Sequence, residues 1–362
     1  MKNILKIALV MLSVFSFTAA QAGSLEVTGN AKASYTIVSS DSAAAKIEQS
    51  KAFGVANEFN LGASGELDNG YTWKYNVNID DATVQDDGGL SLTAPFGTVA
   101  INVSQGGLEF SKAAAITANG ERASDTGYAE GMVEEHSIGD VNNIQYHLPS
   151  GLLPFGVTAK IAYAPDMTAN KNASVNAQGG TNTGAISVAV TTVTAADQTT
   201  AGMGTSMTSY QLGATPIDGL TVGASYSTFG GMDTGLAQEP ESGSWYAKYA
   251  YGPATVAYGK AYIAHALATH ASTDFIEYTE NTKMSLSVLV NDNFSVSYSQ
   301  EESTANHKTA ATADVELESS SIAAAYTIGG MTLAIAQVDH ENVGYVANTD
   351  VKSTVFNVSM AF

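Results

Sequence analysis

The chain contains no cysteine, and Arg122 is the one arginine among its 362 residues. Without cysteine there are no disulfides, which excludes a small secreted scaffold stapled by bridges and rules out thiol chemistry. Cations are scarce: 15 Lys and Arg face 35 Asp and Glu, a net charge of −20. That balance opposes nucleic-acid binding, which depends on basic contacts to phosphate. Charge of either sign is thin, at 14% of residues, and mean hydropathy is near zero. Even so, beyond the first 22 residues no apolar run approaches the length of a transmembrane helix. Signatures of catalysis are missing as well. His136, His147, His265, His270, His307 and His340 are scattered with no H-E-x-x-H spacing, and no G-x-S-x-G occurs. Nothing in the sequence favours an enzyme.

The opening segment is MKNILKIALVMLSVFSFTAAQAG. Lys2 and Lys6 form a positive n-region, Ile7 to Phe17 an apolar h-region, and Ala20-Gln21-Ala22 a small-x-small cleavage site. The spacing predicts a signal peptide over 1–22 and a mature chain over 23–362. Loss of its two lysines makes the mature chain more acidic still. Thirty-four glycines and 17 tyrosines suit β-structure rich in turns.

Alternation of period two recurs along the mature chain, the mark of strands with one apolar face. In STVFNVSMAF, Thr354, Phe356, Val358, Met360 and Phe362 share one side; Val355, Asn357, Ser359 and Ala361 share the other. Tyr71, Trp73, Tyr75, Val77 and Ile79 likewise oppose Thr72, Lys74, Asn76, Asn78 and Asp80. Aromatics at strand ends fit a membrane with two interfaces. The connections separate a barrel from a sandwich. Tight turns at Asp68-Asn69-Gly70, Pro95-Phe96-Gly97, Pro216-Ile217-Asp218-Gly219, Tyr251-Gly252-Pro253, Asn291-Asp292-Asn293 and Ile328-Gly329-Gly330 alternate with long polar stretches. Those stretches cover roughly 39–50, 80–88, 104–140, 164–205, 228–243, 264–274, 301–315 and 339–350. Short turns at one end and long loops at the other describe an outer-membrane barrel of about 16 antiparallel strands. In lipid every backbone group needs a partner, so the last strand must close on the first.

The chain resembles a Gram-negative general porin of the trimeric, 16-stranded kind. The likeness is carried by Phe362 after its alternating strand, by Asn143-Ile144-Gln145-Tyr146-His147-Leu148-Pro149, and by Gly156-Val157-Thr158-Ala159-Lys160-Ile161-Ala162-Tyr163-Ala164. It implies an outer-membrane homotrimer surrounded by lipid, and Phe362 as the signal read by the barrel-assembly machinery. It implies a passive channel for small hydrophilic solutes and ions, with no cofactor. The third loop, about 104–140, is expected to fold into the barrel as a constriction carrying Glu109, Lys112, Glu121, Arg122, Asp125, Glu130, Glu134 and Glu135.

In the family such acids face an arginine cluster on the opposite wall, and here that cluster is absent. Strand parity instead puts Lys32, Lys74, Lys160, Lys248 and Lys283 on the lumen side, with Lys260 ambiguous. Many loop acids and few bases predict a preference for cations. Two rivals stay open: a substrate-specific sugar channel, for which Tyr246 is the inward aromatic candidate, and a non-conducting adhesive barrel. Asp80, Asp81, Asp86 and Asp87 in the second loop read either as a solvated tip, as a calcium site, or as a contact between subunits. The fourth loop, Pro165 to Thr205, reads as a mobile surface loop, a phage receptor or a sugar-contacting vestibule.

Overall fold

The computed structural model describes residues 23–40, 50–80, 83–128, 132, 134–165, 206–231, 238–264, 276–307 and 313–362, with the backbone alone for 56–58, 80 and 83–86. The expected signal peptide, Glu130, Asp81, His265, His270 and the fourth loop lie outside the described residues. Sixteen strands form one closed antiparallel barrel in which each strand pairs with its chain neighbours. They are β1 (Ser24–Ser40), β2 (Ser50–Glu66), β3 (Thr72–Asp80), β4 (Thr83–Ala94), β5 (Gly97–Val103), β6 (Asn143–His147), β7 (Thr158–Ala164) and β8 (Ser206–Ile217). The second half comprises β9 (Leu220–Gly230), β10 (Glu241–Tyr251), β11 (Ala254–Ala264), β12 (Ile276–Asn291), β13 (Phe294–His307), β14 (Glu316–Ile328), β15 (Met331–Glu341) and β16 (Val351–Ala361).

Closure is made by β1 against β16, in register from Asn30↔Ala361 to Ser40↔Val351. Gly29 and Phe362 exchange two further backbone hydrogen bonds, at 2.9 and 3.1 Å. The ladder thereby leaves no open edge along the seam, which is what hydrocarbon demands. Side chains follow the expected parity. Phe356, Met360 and Phe362 are exposed on the outside, whereas Val351, Ser353, Val355 and Asn357 are buried inside. Outward rings meet across strands: Tyr35 lies 4.8 Å from Phe53 and 6.3 Å from Phe356, and Trp245 lies 5.7 Å from Tyr258.

Short turns cluster at the end opposite the long connections. Gly70 has φ +80, which a residue bearing Cβ seldom adopts, and its N–H donates to Leu67 at 2.8 Å. Gly219 combines φ +78 with a close approach: a Cβ there would meet the Ala250 carbonyl oxygen at 2.3 Å.

One expected long loop is corrected. Residues 83–88 are strand, and the β3–β4 connection spans only residues 81 and 82. Acids at Asp86 and Asp87 suggested a loop. The ladder tolerates them through a register shift between Asn78 and Ile79, after which Asp87 pairs with Asn78 on the watered face. β13 likewise continues to His307, so the loop expected from 301 begins only at 308.

Candidate functional site

The connection between β5 and β6, residues 104–142, lies against the inner face of the barrel as a strap. Peptide groups outside a ladder need partners, and the wall supplies them from serines. Ser244 Oγ accepts from Phe110 N–H at 2.9 Å, Ser285 Oγ from Ile116 N–H at 3.1 Å, and Ser297 Oγ from Ala118 N–H at 2.7 Å. Ser242 Oγ accepts from His136 N–H at 3.1 Å, and Ser353 Oγ donates to the Thr126 carbonyl at 2.9 Å. Gln211 donates to the Leu108 carbonyl at 2.8 Å. These partners stand on β8, β10, β12, β13 and β16, so the strap follows the inner wall around much of its circumference.

Apolar contacts seat it at three places. Leu108, Ile138 and Val141 pack with Ala162, Ala164 and Met207. Ala123 sits among Ala323, Ala336 and Val338. Ala114, Phe110 and Ile116 close over Tyr246 and Ala257, with the Phe110 and Tyr246 rings 4.8 Å apart. Tyr246 does point inward, but beneath the strap, where it cannot serve as an aromatic slide.

Charge pins the middle of the strap. Arg122 holds Asp125 and Glu134, each at 2.6 Å, and reaches Glu301 of β13 at 3.5 Å. Lys283 of β12 pairs with Glu134 and lies 3.2 Å from Glu301. Glu301 also accepts from the Ser124 N–H at 3.1 Å and the Ser124 hydroxyl at 3.2 Å. Lys283 and Glu301 are 1% and 0% exposed, and Arg122 and Glu134 are partly buried over them, so this quartet of two cations and two anions lies between strap and wall. Burying ions is costly unless each finds opposite charge and further hydrogen bonds; here each ion has at least two opposite partners, and Ser124 adds hydrogen bonds to Glu301. Glu121 pairs with Lys32 of β1 at a more open position, with both side chains partly exposed.

Glu135 has a different environment. Ser244 donates to it at 2.8 Å, Ser111 N–H at 3.0 Å and Ser225 at 3.2 Å, and no cation pairs with it among the described residues. Burial pushes its carboxyl up to about 7; the hydrogen bonds from Ser244, Ser111 and Ser225 oppose the shift, and the nearby Glu109 adds to it. Glu109 itself accepts from Ser137 at 2.6 Å. Lys112 is exposed.

The five lysines read as lumen-facing all lie on the inner face, in two groups. Lys32 and Lys283 are consumed by strap carboxylates. Lys74, Lys160 and Lys248 form no ion pair among the described residues. Lys260 is settled as outward: it pairs across strands with Trp245 and Thr282 and binds Glu280 at 2.5 Å. Of the calcium candidates, Asp87 lies on β4 opposite Asn78, and the side chains of the other three lie outside the described residues. Sequence reasoning did not single out Glu301 or the inner serines. Inward serines at Ser297, Ser299, Ser303, Ser319 and Ser321 are legible by parity, but small polar residues there read equally as open lumen.

A sequence model of the Gram-negative porins matches residues 8–342. No curated protein sequence matches the chain. Among solved structures, an anion-selective porin from Comamonas acidovorans superposes with a TM-score of 0.65 at 13% identity, covering 94% of this chain and 100% of that one. OmpT of Vibrio cholerae gives 0.60 at 10% identity over 96% and 100% of the two chains. Salmonella typhi OmpF, solved with daunomycin, gives 0.58 at 13% over 94% and 98%. At such identities the structural likeness speaks for the barrel alone; the match in sequence is what makes this chain a member of the Gram-negative porin family, a β-barrel of the bacterial outer membrane.

Proposed function

We propose that the barrel is a passive channel for small hydrophilic solutes, without a catalytic step, and that it favours cations modestly. The observation that carries the reading is the one-sided seating of the strap. It covers the inner faces of β8–β16 and leaves those of β3–β7 bare except at its root, so a polar wall of Ser, Thr, Asn and Lys borders an unfilled lumen. A sugar-specific slide has no support, because the inward Tyr246 is covered. The cation preference rests on the excess of acid over base in the whole chain. Its strength is limited, since Lys32, Arg122 and Lys283 already neutralise much of the strap. We place Phe362 at the start of assembly and the finished barrel in a homotrimer; one solved OmpT of Vibrio cholerae is described as a trimer form.

Planar-bilayer recording of the purified protein under a tenfold KCl gradient tests this reading. Stable steps in threes, with a reversal potential on the potassium side, are expected. Steps with a zero or chloride-side potential leave the channel standing and overturn the cation preference. Absence of conductance from a folded barrel overturns the channel.

A further inference from the structure

The bare wall is chemically distinct from the rest of this acidic protein. Lys74, Ser91, Ala100 and Gln145 form one cross-strand row over β3–β6, and Thr93, Thr98, His147 and Lys160 form the adjacent row over β4–β7. Together they line a hollow of about 380 Å³ roofed by Gly106, Gly107 and Leu108 of the strap root. Among the described residues no Asp or Glu lines it, although acids outnumber bases by 35 to 15 in the chain. Lys74 and Lys160 have no carboxylate partner among the described residues, in contrast to Lys32 and Lys283.

The remaining polar groups are held in place. Asn76 donates to Gln105 at 3.0 Å. His147 Nε2 donates to Gln145 Oε1 at 2.8 Å, and Gln145 in turn donates to the Gly106 carbonyl and, at 2.9 Å, to Asn143. Asn102 donates to Asn143 at 3.2 Å. This amide network fixes the strap root above the hollow and keeps its floor in one arrangement. Two ammonium groups without carboxylate partners, reaching into one hollow from either side of a bank of hydroxyls, suit a small anion that also carries hydroxyls. Each ammonium offers three donors and no acceptor, and Ser91, Thr93 and Thr98 offer both.

We propose that this hollow is a binding subsite for small hydroxylated anions of the sugar-phosphate type, set in the wall of a pore whose overall bias favours cations. The subsite depends on the channel reading only for the route by which solute arrives. A ligand passing through a pore needs a site that is favourable to enter and weak enough to leave, so millimolar binding is the useful range.

The test is calorimetric titration of detergent-solubilised, folded barrel with glucose 6-phosphate, alongside glucose and inorganic phosphate. Because it needs no conductance, failure of the channel reading and failure of the subsite are read separately. Saturable binding of glucose 6-phosphate, at least tenfold tighter than either glucose or phosphate alone, is expected. The K74Q/K160Q double variant should lose that binding tenfold or more, while Lys248→Gln, an inward unpaired lysine outside the hollow, should keep it. Single K74Q and K160Q variants guard against misfolding of the double variant, each expected to lose about half of the effect on a logarithmic scale. Equal binding by wild type and K74Q/K160Q overturns the subsite. An equal loss in Lys248→Gln overturns it too, because general attraction by lumen charge then accounts for the signal.

Discussion

Two stretches of one inner wall, built on the same alternating strands, have opposite fates. From β8 round to β1 serines and alanines predominate among the buried inward residues, with Lys283, Glu301 and Lys32 among them, and the strap covers much of that wall. From β3 to β7 the strap root buries Asn102, Asn143 and Gln145, and Lys74, Ser91, Thr93, Thr98 and Lys160 are left facing the hollow. Lys74 and Lys160 on the second stretch contribute to the lumen's charge; on the first, Lys32 and Lys283 serve the strap's attachment, while Lys248 of β10 has no ion pair among the described residues and counts with the lumen. Position along the strand decides the face, but the partner across the lumen decides the role.

The sharpest way to break this comparison is to remove Glu301. Glu301→Ala leaves Arg122 and Lys283 buried with Glu134 as their shared carboxylate and strips two hydrogen bonds from Ser124. Deleting one member of a buried ion set costs about 3–5 kcal/mol. Because the barrel ladder is untouched, that cost should fall on docking of the strap. Hydrogen exchange should speed up at strap amides, Ser124 first, with the amides of β12 and β13 still protected, and single-channel conductance should rise. Unchanged exchange in the strap would mean that serine and apolar contacts hold it without the quartet.

How far was this legible beforehand? The outer face was read correctly because lipid imposes a strict rule on each outward position, and Tyr75, Trp245 and Phe356 obey it. Inner parity followed from the same alternation, so five lysines were placed by it. Two things escaped. The β3–β4 hairpin reads as a loop because Asp86 and Asp87 look like loop residues, whereas Asp87, opposite Asn78, sits on the watered side of the barrel and costs the ladder little. The pairing of Lys283 with Glu134 was hidden because it joins residues 149 positions apart, and alternation carries no information about contacts between a strap and the wall behind it. Glu301 had a signal in hindsight: it is the lone acid in an inward run of serines on β13.

A second, somewhat smaller effect is expected from Glu135. In the docked strap its carboxyl titrates near 7 rather than its ordinary 4.5, so between those values the docked form holds a proton that an undocked strap in water releases. Docking is therefore strongest below about pH 4.5, weakens as pH rises towards 7, and is level above that. The full span corresponds to roughly 3 to 4 kcal/mol at most. Strap exchange rates measured across this window should climb with pH beyond the intrinsic chemical dependence. Glu135→Gln, which keeps the acceptor for Ser111 N–H and carries no charge, should remove the climb. A wild-type profile that is flat between 4.5 and 7 would place Glu135 in water rather than under Ser244.

The smallest effect is the one that separates free lysines from bound ones. Lys74→Gln or Lys248→Gln breaks no ion pair, so unfolding and strap exchange should change by no more than about 0.5 kcal/mol, the usual range for substitutions away from buried networks. Both should nevertheless move the reversal potential further to the potassium side, because each removes a positive charge from the wetted lumen. Lys283→Gln should differ in the first quantity: it loosens the strap by leaving Glu134 and Glu301 with Arg122 alone, and the carboxylate charge it uncovers should move the potential to the potassium side as well. Measuring both quantities on the three variants makes a two-by-two contrast of stability and selectivity. If Lys74→Gln destabilised the strap as much as Lys283→Gln, the bare wall would be part of the docking surface. If neither Lys74→Gln nor Lys248→Gln moved the potential, the charges that govern passage would lie elsewhere, beyond the reach of these two strands.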